Sequence, residues 1–268
     1  MKSSAAGLIT AILTAVVLLC LAGYQVTSET AGVRLLGRVG AALIELDRWL
    51  PAHRDDIELL SRDRPDAPLT LPDLPVEVLI PSSAVFDAPD EDLQATIQRA
   101  MGEKLYRDGS GAVQDEEGES HLGFAEPVRW TINLLGEDMH GTWQSVLILS
   151  VLLLLALCAG MLWTRQSPLL ALTIGGVIAS ALSLGVWLLA QAMGSVLDGA
   201  VDKEIALVLR DGAWIGLRNG LSVAAIGAAA IYLLSQLFHP RHGDQDWDEY
   251  DDREYSYEGP RGRQHPPY

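Results

Sequence analysis

The sequence predicts an α-helical integral membrane protein with four transmembrane helices and a small α+β domain between the first and the second. The hydrophobic surplus of the 268 residues sits in four apolar blocks, each about as long as the roughly 20 residues that cross a hydrocarbon core. These blocks are residues 5–26, 144–163, 168–193 and 213–238. The polar stretches, residues 27–143 and 239–268, predict one extramembrane domain and a tail.

The first apolar block is either a cleaved signal peptide or a retained anchor. A secretory hydrophobic region usually runs about 7 to 15 residues before a small-residue cleavage site, whereas this block runs to about 22. Residues 20–23 (CLAG) form only a weak cleavage site. Length therefore favours an uncleaved signal anchor, preceded by a cytoplasmic N-terminus of residues 1–4.

The cationic residues near the apolar blocks predict the orientation. Lys2, Arg165 and Arg241 share one side if all four blocks cross the membrane, and cationic flanks stay in the cytoplasm. We therefore expect a multi-pass protein of the cell membrane with both termini cytoplasmic. Residues 27–143 and the loop 194–212 would then be extracytoplasmic.

Charge is also distributed by region. Residues 27–143 carry 23 acidic and 10 basic side chains, and residues 239–268 carry 8 acidic and 4 basic. This balance excludes the basic footprint of a nucleic-acid-binding protein. The basic residues are 16 Arg and 3 Lys, a usage typical of GC-rich bacterial genomes.

The two cysteines lie in predicted spans. Cys20 falls toward the outer side and Cys158 toward the inner side, so their depths differ by roughly 10 Å or more at about 1.5 Å per residue. That separation is too large for a disulfide. The external domain has no cysteine and must be held by its core, a partner or an ion.

An amphipathic helix follows the first span. One apolar stripe at helical spacing comprises Gly32, Leu36, Val39, Leu43, Leu46 and Leu50. The helical pattern does not stop after the first span, which predicts a helix continuous with the anchor over residues 5–50, about 69 Å long. Pro51 marks its expected end.

A second juxtamembrane helix precedes the second span. Trp130, Leu134 and Leu135 recur at helical spacing, although Gly136 and Gly141 weaken continuity with the apolar block. Two such helices would leave the membrane side by side.

The domain between them has a mixed pattern. Residues 75–80 predict a strand, whose partner is residues 69–71, part of 111–124 or a second protomer. Residues 88–107 predict a helix with Asp87 as its N-cap and Gly109 at its C-terminal end.

The third and fourth spans show small residues every four positions, the spacing that lets helices approach closely. The sets are Gly175, Ala179 and Ser183 in one span and Gly220, Ala224 and Ala228 in the other. The intervening loop 194–212 is amphipathic, and Val201, Ile205, Leu207 and Val208 can lie at the outer membrane interface.

Arg218 and Asn219 lie more than a turn inside the fourth block. An intramembrane arginine is a functional candidate, but Arg218 also has a structural interpretation. In that case it reaches the outer headgroups or pairs with a carboxylate of the neighbouring loop, which offers Asp198, Asp202, Glu204 and Asp211.

Two further clusters can be interpreted as ligand-binding sites or as ordinary loop and linker segments. An external set of Asp115, Glu116, Glu117, Glu119 and His121 offers oxygen ligands to calcium, but its spacing matches no EF-hand, which favours a solvated loop. His239 and His242 flank a Pro-Arg pair after the fourth block, where a linker is favoured over a metal site.

The tail is acidic and aromatic, with almost no aliphatic residue, and is expected to be disordered. Its contact candidates are Trp247, Tyr250, Tyr255 and Tyr257. The lipid bilayer is one expected partner, and a membrane or cytoplasmic protein bound through residues 240–268 is another. A homo-oligomer stays open, and a nucleic-acid partner is not expected.

The function class is inferred from the motifs that the sequence lacks. The sequence contains no nucleophile elbow, Walker A, dinucleotide-binding or paired-cysteine motif, so we expect no catalytic, cofactor-binding or metal residues. Claudins and tetraspanins resemble it in topology alone, since their cysteine signatures are missing. We expect a non-enzymatic bacterial protein of the sensor or scaffold type whose external domain binds a partner or ligand.

The alternative is a transporter or channel subunit. Its path would have to be lined by polar residues of the predicted spans, and the candidates are Ser180, Ser183, Gln191 and Asn219.

Overall fold

The computed structural model describes residues 2–72, 74–85, 88–113 and 125–238, and they are mostly helical. The helices are α1 (Lys2–Val26), α2 (Glu29–Leu43), α3 (Leu46–Asp63), α4 (Asp90–Asp108), α5 (Ala125–Leu135), α6 (Glu137–Trp163), α7 (Leu169–Val196) and α8 (Ala200–Phe238). Two strands, β1 (Pro68–Thr70) and β2 (Leu79–Pro81), form an antiparallel pair.

Four of these helices are long and apolar enough to cross a membrane, which confirms the four apolar segments of the sequence. They are α1, α6, α7 and α8, here called the bundle. Large apolar side chains face outward from it, as Leu149 at 69% and Ile226 at 70% exposure illustrate. Cys20 of α1 and Cys158 of α6 are free thiols, as predicted.

Helix α1 lies between α6 on one side and the closely packed pair α7 and α8 on the other. Thr10 contacts Met161, and Gly23 faces the ring of Trp143, so α6 runs antiparallel to α1. Gly175 of α7 faces Thr14 of α1, and Gly216 of α8 faces Ala22 of α1. The start of α1, the α6–α7 link and the end of α8 therefore share one end of the bundle, and α2 to α5 lie at the other.

The small residues of α7 lie on two faces of the helix, one against α1 and one against α8, whereas the sequence predicts a single stripe. A Cβ on Gly175 would meet Thr14 of α1, and Ala179 packs with Ala15 and Leu18 of the same helix. Gly176, one position on, meets the backbone of α8 at Gly220 and Ala224.

The predicted continuous helix over residues 5–50 is wrong, because the chain breaks twice. At the first break the Thr27 hydroxyl donates to the Gly23 carbonyl at 2.9 Å, and the Ser28 hydroxyl donates to Gln25 at 2.8 Å. Such side-chain bonds compete with the helical ladder. Ser28 leaves it with φ −58° and ψ 147°.

The second break lies at Ile44 and Glu45, where Glu45 has a left-handed φ of 47°. Pro51 is therefore not the predicted helix end. It lies in the second turn of α3, which continues to Asp63, so its missing N–H removes only one bond near the start of that helix. The apolar stripe survives both breaks, since Leu36, Leu46 and Leu50 are buried.

The strand pair confirms one predicted partner. Leu69 pairs with Ile80, and the pairing extends from Pro68 opposite Pro81 to Thr70 opposite Leu79. The predicted strand 75–80 begins later, at Leu79, but Val76 forms an isolated antiparallel bridge with Val113.

The predicted helix 88–107 is α4. Its N-cap is Pro89, while the predicted cap Asp87 lies outside the described residues. Gly109 ends the helix with φ 61° and ψ −148°, a conformation that favours glycine.

Helix α5 buries only part of its predicted face, which comprised Trp130, Leu134 and Leu135. Val128, Ile132 and Leu135 are buried, whereas Trp130 is 57% exposed. The chain then turns at Gly136, with φ −70° and ψ 170°, before α6.

The predicted loop 194–212 is wrong for most of its length, because α8 begins at Ala200 and spans 39 residues, about 58 Å. Its apolar positions Ile205 and Val208 join the core of the domain instead of lying on a membrane surface. That core also contains Leu36, Ile57 and Ile97 from α2, α3 and α4.

Candidate functional site

The two connections that join α2–α5 to the bundle along the chain are interrupted near the end of α4, whereas α8 enters the domain core without a break. The α1–α2 connection breaks at Thr27–Ser28, and the α5–α6 connection breaks at Gly136. We call the group formed by Tyr24, Thr27, Tyr106, Gly136 and His140 the hinge junction.

Tyr106, in the last turns of α4, reaches both breaks. Its ring lies against Gly32, where a Cβ would come within 2.7 Å of a ring carbon, and its hydroxyl donates to the Thr27 carbonyl oxygen at 3.0 Å. Its own carbonyl oxygen lies 3.5 Å from the Cβ position of Gly136. Because the helical ladder stops at Thr27, that carbonyl takes its hydrogen bond from the phenol.

Burial is the main cause that raises the pKa of the Tyr106 phenol, and the nearby carboxylates of Glu137 and Glu29 raise it further. The side chain is only 6% exposed. These surroundings keep the phenol protonated, and only the protonated form donates to Thr27.

Thr27 also joins α1 to α6. Its Oγ1 lies 3.1 Å from Nδ1 of His140, and it also donates to the Gly23 carbonyl. The tautomer of the imidazole sets which of the two groups donates in the contact between Thr27 and His140. The imidazole stacks on Tyr24, with ring centroids 4.5 Å apart.

Three further polar contacts tie α8 to the same region. Arg38 of α2 pairs with Glu204 at 2.8 Å and with Asp211 at 3.6 Å. Inside the bundle, Nδ2 of Asn219 donates to Oε1 of Gln25 at 2.9 Å.

No protein-family model, curated protein or solved structure matches this chain.

The residues predicted for a transport path do not converge. Ser180 and Ser183 of α7 face Gly220 and Gly216 of α8, while Asn219 bonds to Gln25. Gln191 is exposed on the outside of α7.

Arg218 is exposed, and it forms no ion pair within the described part of the chain. Its predicted pairing is wrong for Glu204 and Asp211, because both carboxylates face Arg38. Contact of Arg218 with lipid headgroups stays a prediction.

Several predicted candidates lie outside the described residues. They are the acidic set from Asp115 to His121, the pair His239 and His242, and the tail with Trp247, Tyr250, Tyr255 and Tyr257. Within the ranges that the structure covers, no group of three or more His, Cys, Asp or Glu side chains could hold a metal ion.

Sequence reasoning missed the hinge junction. Tyr106 and Thr27 are 79 positions apart, and no periodicity links them. The adjacent hydroxyl residues Thr27 and Ser28 directly after an apolar block are the one signal that could have revealed a break there.

Proposed function

We propose that this chain is a non-enzymatic bacterial membrane protein of the sensor or scaffold type. Its extracytoplasmic domain binds a partner or ligand, and the bundle carries the resulting displacement across the cell membrane. The observation that carries the proposal is the bonded series Tyr106–Thr27–His140, which links α4 of the domain to α1 and α6 of the bundle.

The arrangement suits transmission because the two connections are not independent. A shift of α4 moves Tyr106, and Tyr106 contacts the chain at both interruptions. The ion pairs of Arg38 link α8 to the elements that would move with α4. A ligand that binds one of two packed arrangements of this group more tightly shifts the population toward that arrangement.

The orientation is supported by the ends of the bundle. The start of α1 and the α6–α7 link share one end, so Lys2 and Arg165 share it too. Cationic flanks favour the cytoplasm, which leaves the domain outside.

Labelling of single cysteines tests this orientation. In a Cys20→Ala, Cys158→Ala background, the exposed positions Ala95 of α4 and Ser167 of the α6–α7 link are each changed to cysteine. A membrane-impermeant maleimide should label Ala95→Cys in intact cells and Ser167→Cys only after permeabilisation. Equal labelling of both in intact cells contradicts the topology.

Photocrosslinking in the native membrane tests partner binding. A photoreactive amino acid at Ala95 should capture a defined protein, whereas the same residue at Leu189, 62% exposed on the bundle, serves as the background control. Deleting residues 240–268 should abolish co-purification of any cytoplasmic partner. Matching profiles at Ala95 and Leu189, together with unchanged co-purification after the deletion, would reject the proposal.

A further inference from the structure

An apolar cleft of about 180 Å³ lies beside the hinge junction. Its floor is α1 around Val26, one wall is Leu134 of α5 with Trp143 of α6, and the other wall is α8 from Leu209 to Ala213. The cleft therefore lies at the domain end of the bundle, where α6 and α8 diverge on either side of α1.

Thr27 is the one lining residue with a side-chain hydroxyl, and that hydroxyl is already bonded to Gly23 and His140. Trp143 contributes an indole N–H, and the remaining lining residues have apolar side chains or none. Such a lining gains most from contact with other apolar groups, because that contact removes apolar surface from water. The chemistry of the lining thus calls for a hydrocarbon occupant.

The surroundings indicate which hydrocarbon. The floor and both walls include helices long and apolar enough to cross a membrane, and the cleft is at their ends. Once the bundle is inserted, the apolar material in contact with this level is the upper part of lipid acyl chains. We propose that the cleft binds one acyl chain of an outer-leaflet phospholipid, an inference that rests on the proposed membrane topology.

An occupant here would bear directly on the hinge junction. Thr27 belongs to both, and Trp143 of the cleft packs on Gly23, where a Cβ would come within 2.7 Å of the indole. Filling the cleft holds Trp143 and Leu134 apart from α8, so the bound chain acts as a spacer between the α5–α6 connection and α8. The site would make the position of the domain sensitive to outer-leaflet lipid.

Gly212 allows the cleft to be filled from within. A Cβ at this position lies 3.5 Å from a Val26 methyl group, an ordinary contact, so a longer side chain can extend into the cleft. Gly185 of α7 is the matched control, because a Cβ there has no atom within 4 Å. Both changes replace a helical glycine with leucine and gain similar helix propensity.

The experiment uses the full chain in nanodiscs of phosphatidylethanolamine and phosphatidylglycerol, with a small fraction of lipid carrying a diazirine in the upper part of one acyl chain. Peptides around Trp143 and Leu209 should be labelled more strongly than the outward faces of α7 and α8. In Gly212→Leu this labelling should fall about tenfold, the effect of losing roughly two buried methylene contacts. Gly185→Leu should match the wild type.

Labelling spread in proportion to exposure, or labelling that Gly212→Leu leaves intact, overturns the cleft proposal and identifies the lipid as annular only. If Gly212→Leu lowers the melting temperature, Leu209→Phe provides the second cleft-filling variant. Failure of the single-cysteine topology test rejects the membrane orientation, whereas uniform lipid labelling with correct topology rejects the cleft alone.

Discussion

The phenol of Tyr106 donates a 3.0 Å hydrogen bond to the carbonyl oxygen of Thr27, and this bond joins the last turns of α4 to the interrupted end of α1. Both groups are buried, so the carbonyl cannot exchange its partner for water. The bond therefore couples the domain to the bundle at the level where both connections lose their helical ladder.

Removing the Tyr106 hydroxyl should weaken the link between α4 and α1 without creating a cavity in the core. We expect Tyr106→Phe to lower the free energy of unfolding by about 1 to 2 kcal/mol, because a buried carbonyl loses its donor. Thermal unfolding of the detergent-solubilised protein measures the change. Tyr232→Phe removes the same hydroxyl from an exposed position on α8 and should change little. Equal effects of the two variants would refute the coupling.

The raised pKa of Tyr106 predicts a specific loss of stability in alkali. A tyrosine whose pKa is higher in the folded than in the unfolded protein gives stability that falls as pH rises through and above its ordinary value of 10.0. The difference in stability between the wild type and Tyr106→Phe should therefore shrink as the pH rises through and above 10.0. Melting temperatures of both proteins against pH check this, and a constant difference would contradict it.

The contact between α2 and α8 depends on Arg38. Arg38→Met should destabilise the protein by about 0.5 to 1 kcal/mol, a modest value because the pair is partly exposed. Arg99→Met is the control, since Arg99 pairs with Glu103 on its own helix. Hydrogen exchange should rise in residues 200–212 for Arg38→Met alone, and an identical exchange pattern in both variants argues against the assigned role.

The hydrogen bond between Gln25 and Asn219 links α1 to α8 within the bundle. A double-mutant cycle with Gln25→Leu and Asn219→Leu should give a coupling energy of about 0.6 kcal/mol, the average for polar contacts between membrane helices. Unfolding in mixed detergent micelles provides the four free energies. Strict additivity would mean that the two side chains do not interact.

Of the three partners that the sequence left open for the strand containing Ile80, the structure selects residues 69–71. The four apolar helices were predictable because length and composition alone select them. The breaks at Thr27 and Glu45 were not, since local side-chain bonds and a single left-handed residue leave the apolar periodicity of α2 and α3 unchanged.

Residues 200–212 were assigned to a loop because sequence reasoning did not identify their packing partner. Ile205 and Val208 have helical spacing, but a helix at a membrane surface and a helix against α2 share that pattern. The hinge junction was missed for a related reason, because it depends on long-range contacts between Tyr106, Thr27 and His140 that only the tertiary packing creates.

The entry of α8 into the domain core also bears on the order in which the chain can fold. Ile205 and Val208 are synthesised after every other residue of that core, so a ribosome that has just completed α5 has not yet made two of its buried side chains. The part of the α2 surface that packs against α8 must remain uncovered until that helix is made. A fragment that ends at residue 143 would consequently be an incomplete folding unit, prone to aggregation through the face that α8 normally covers.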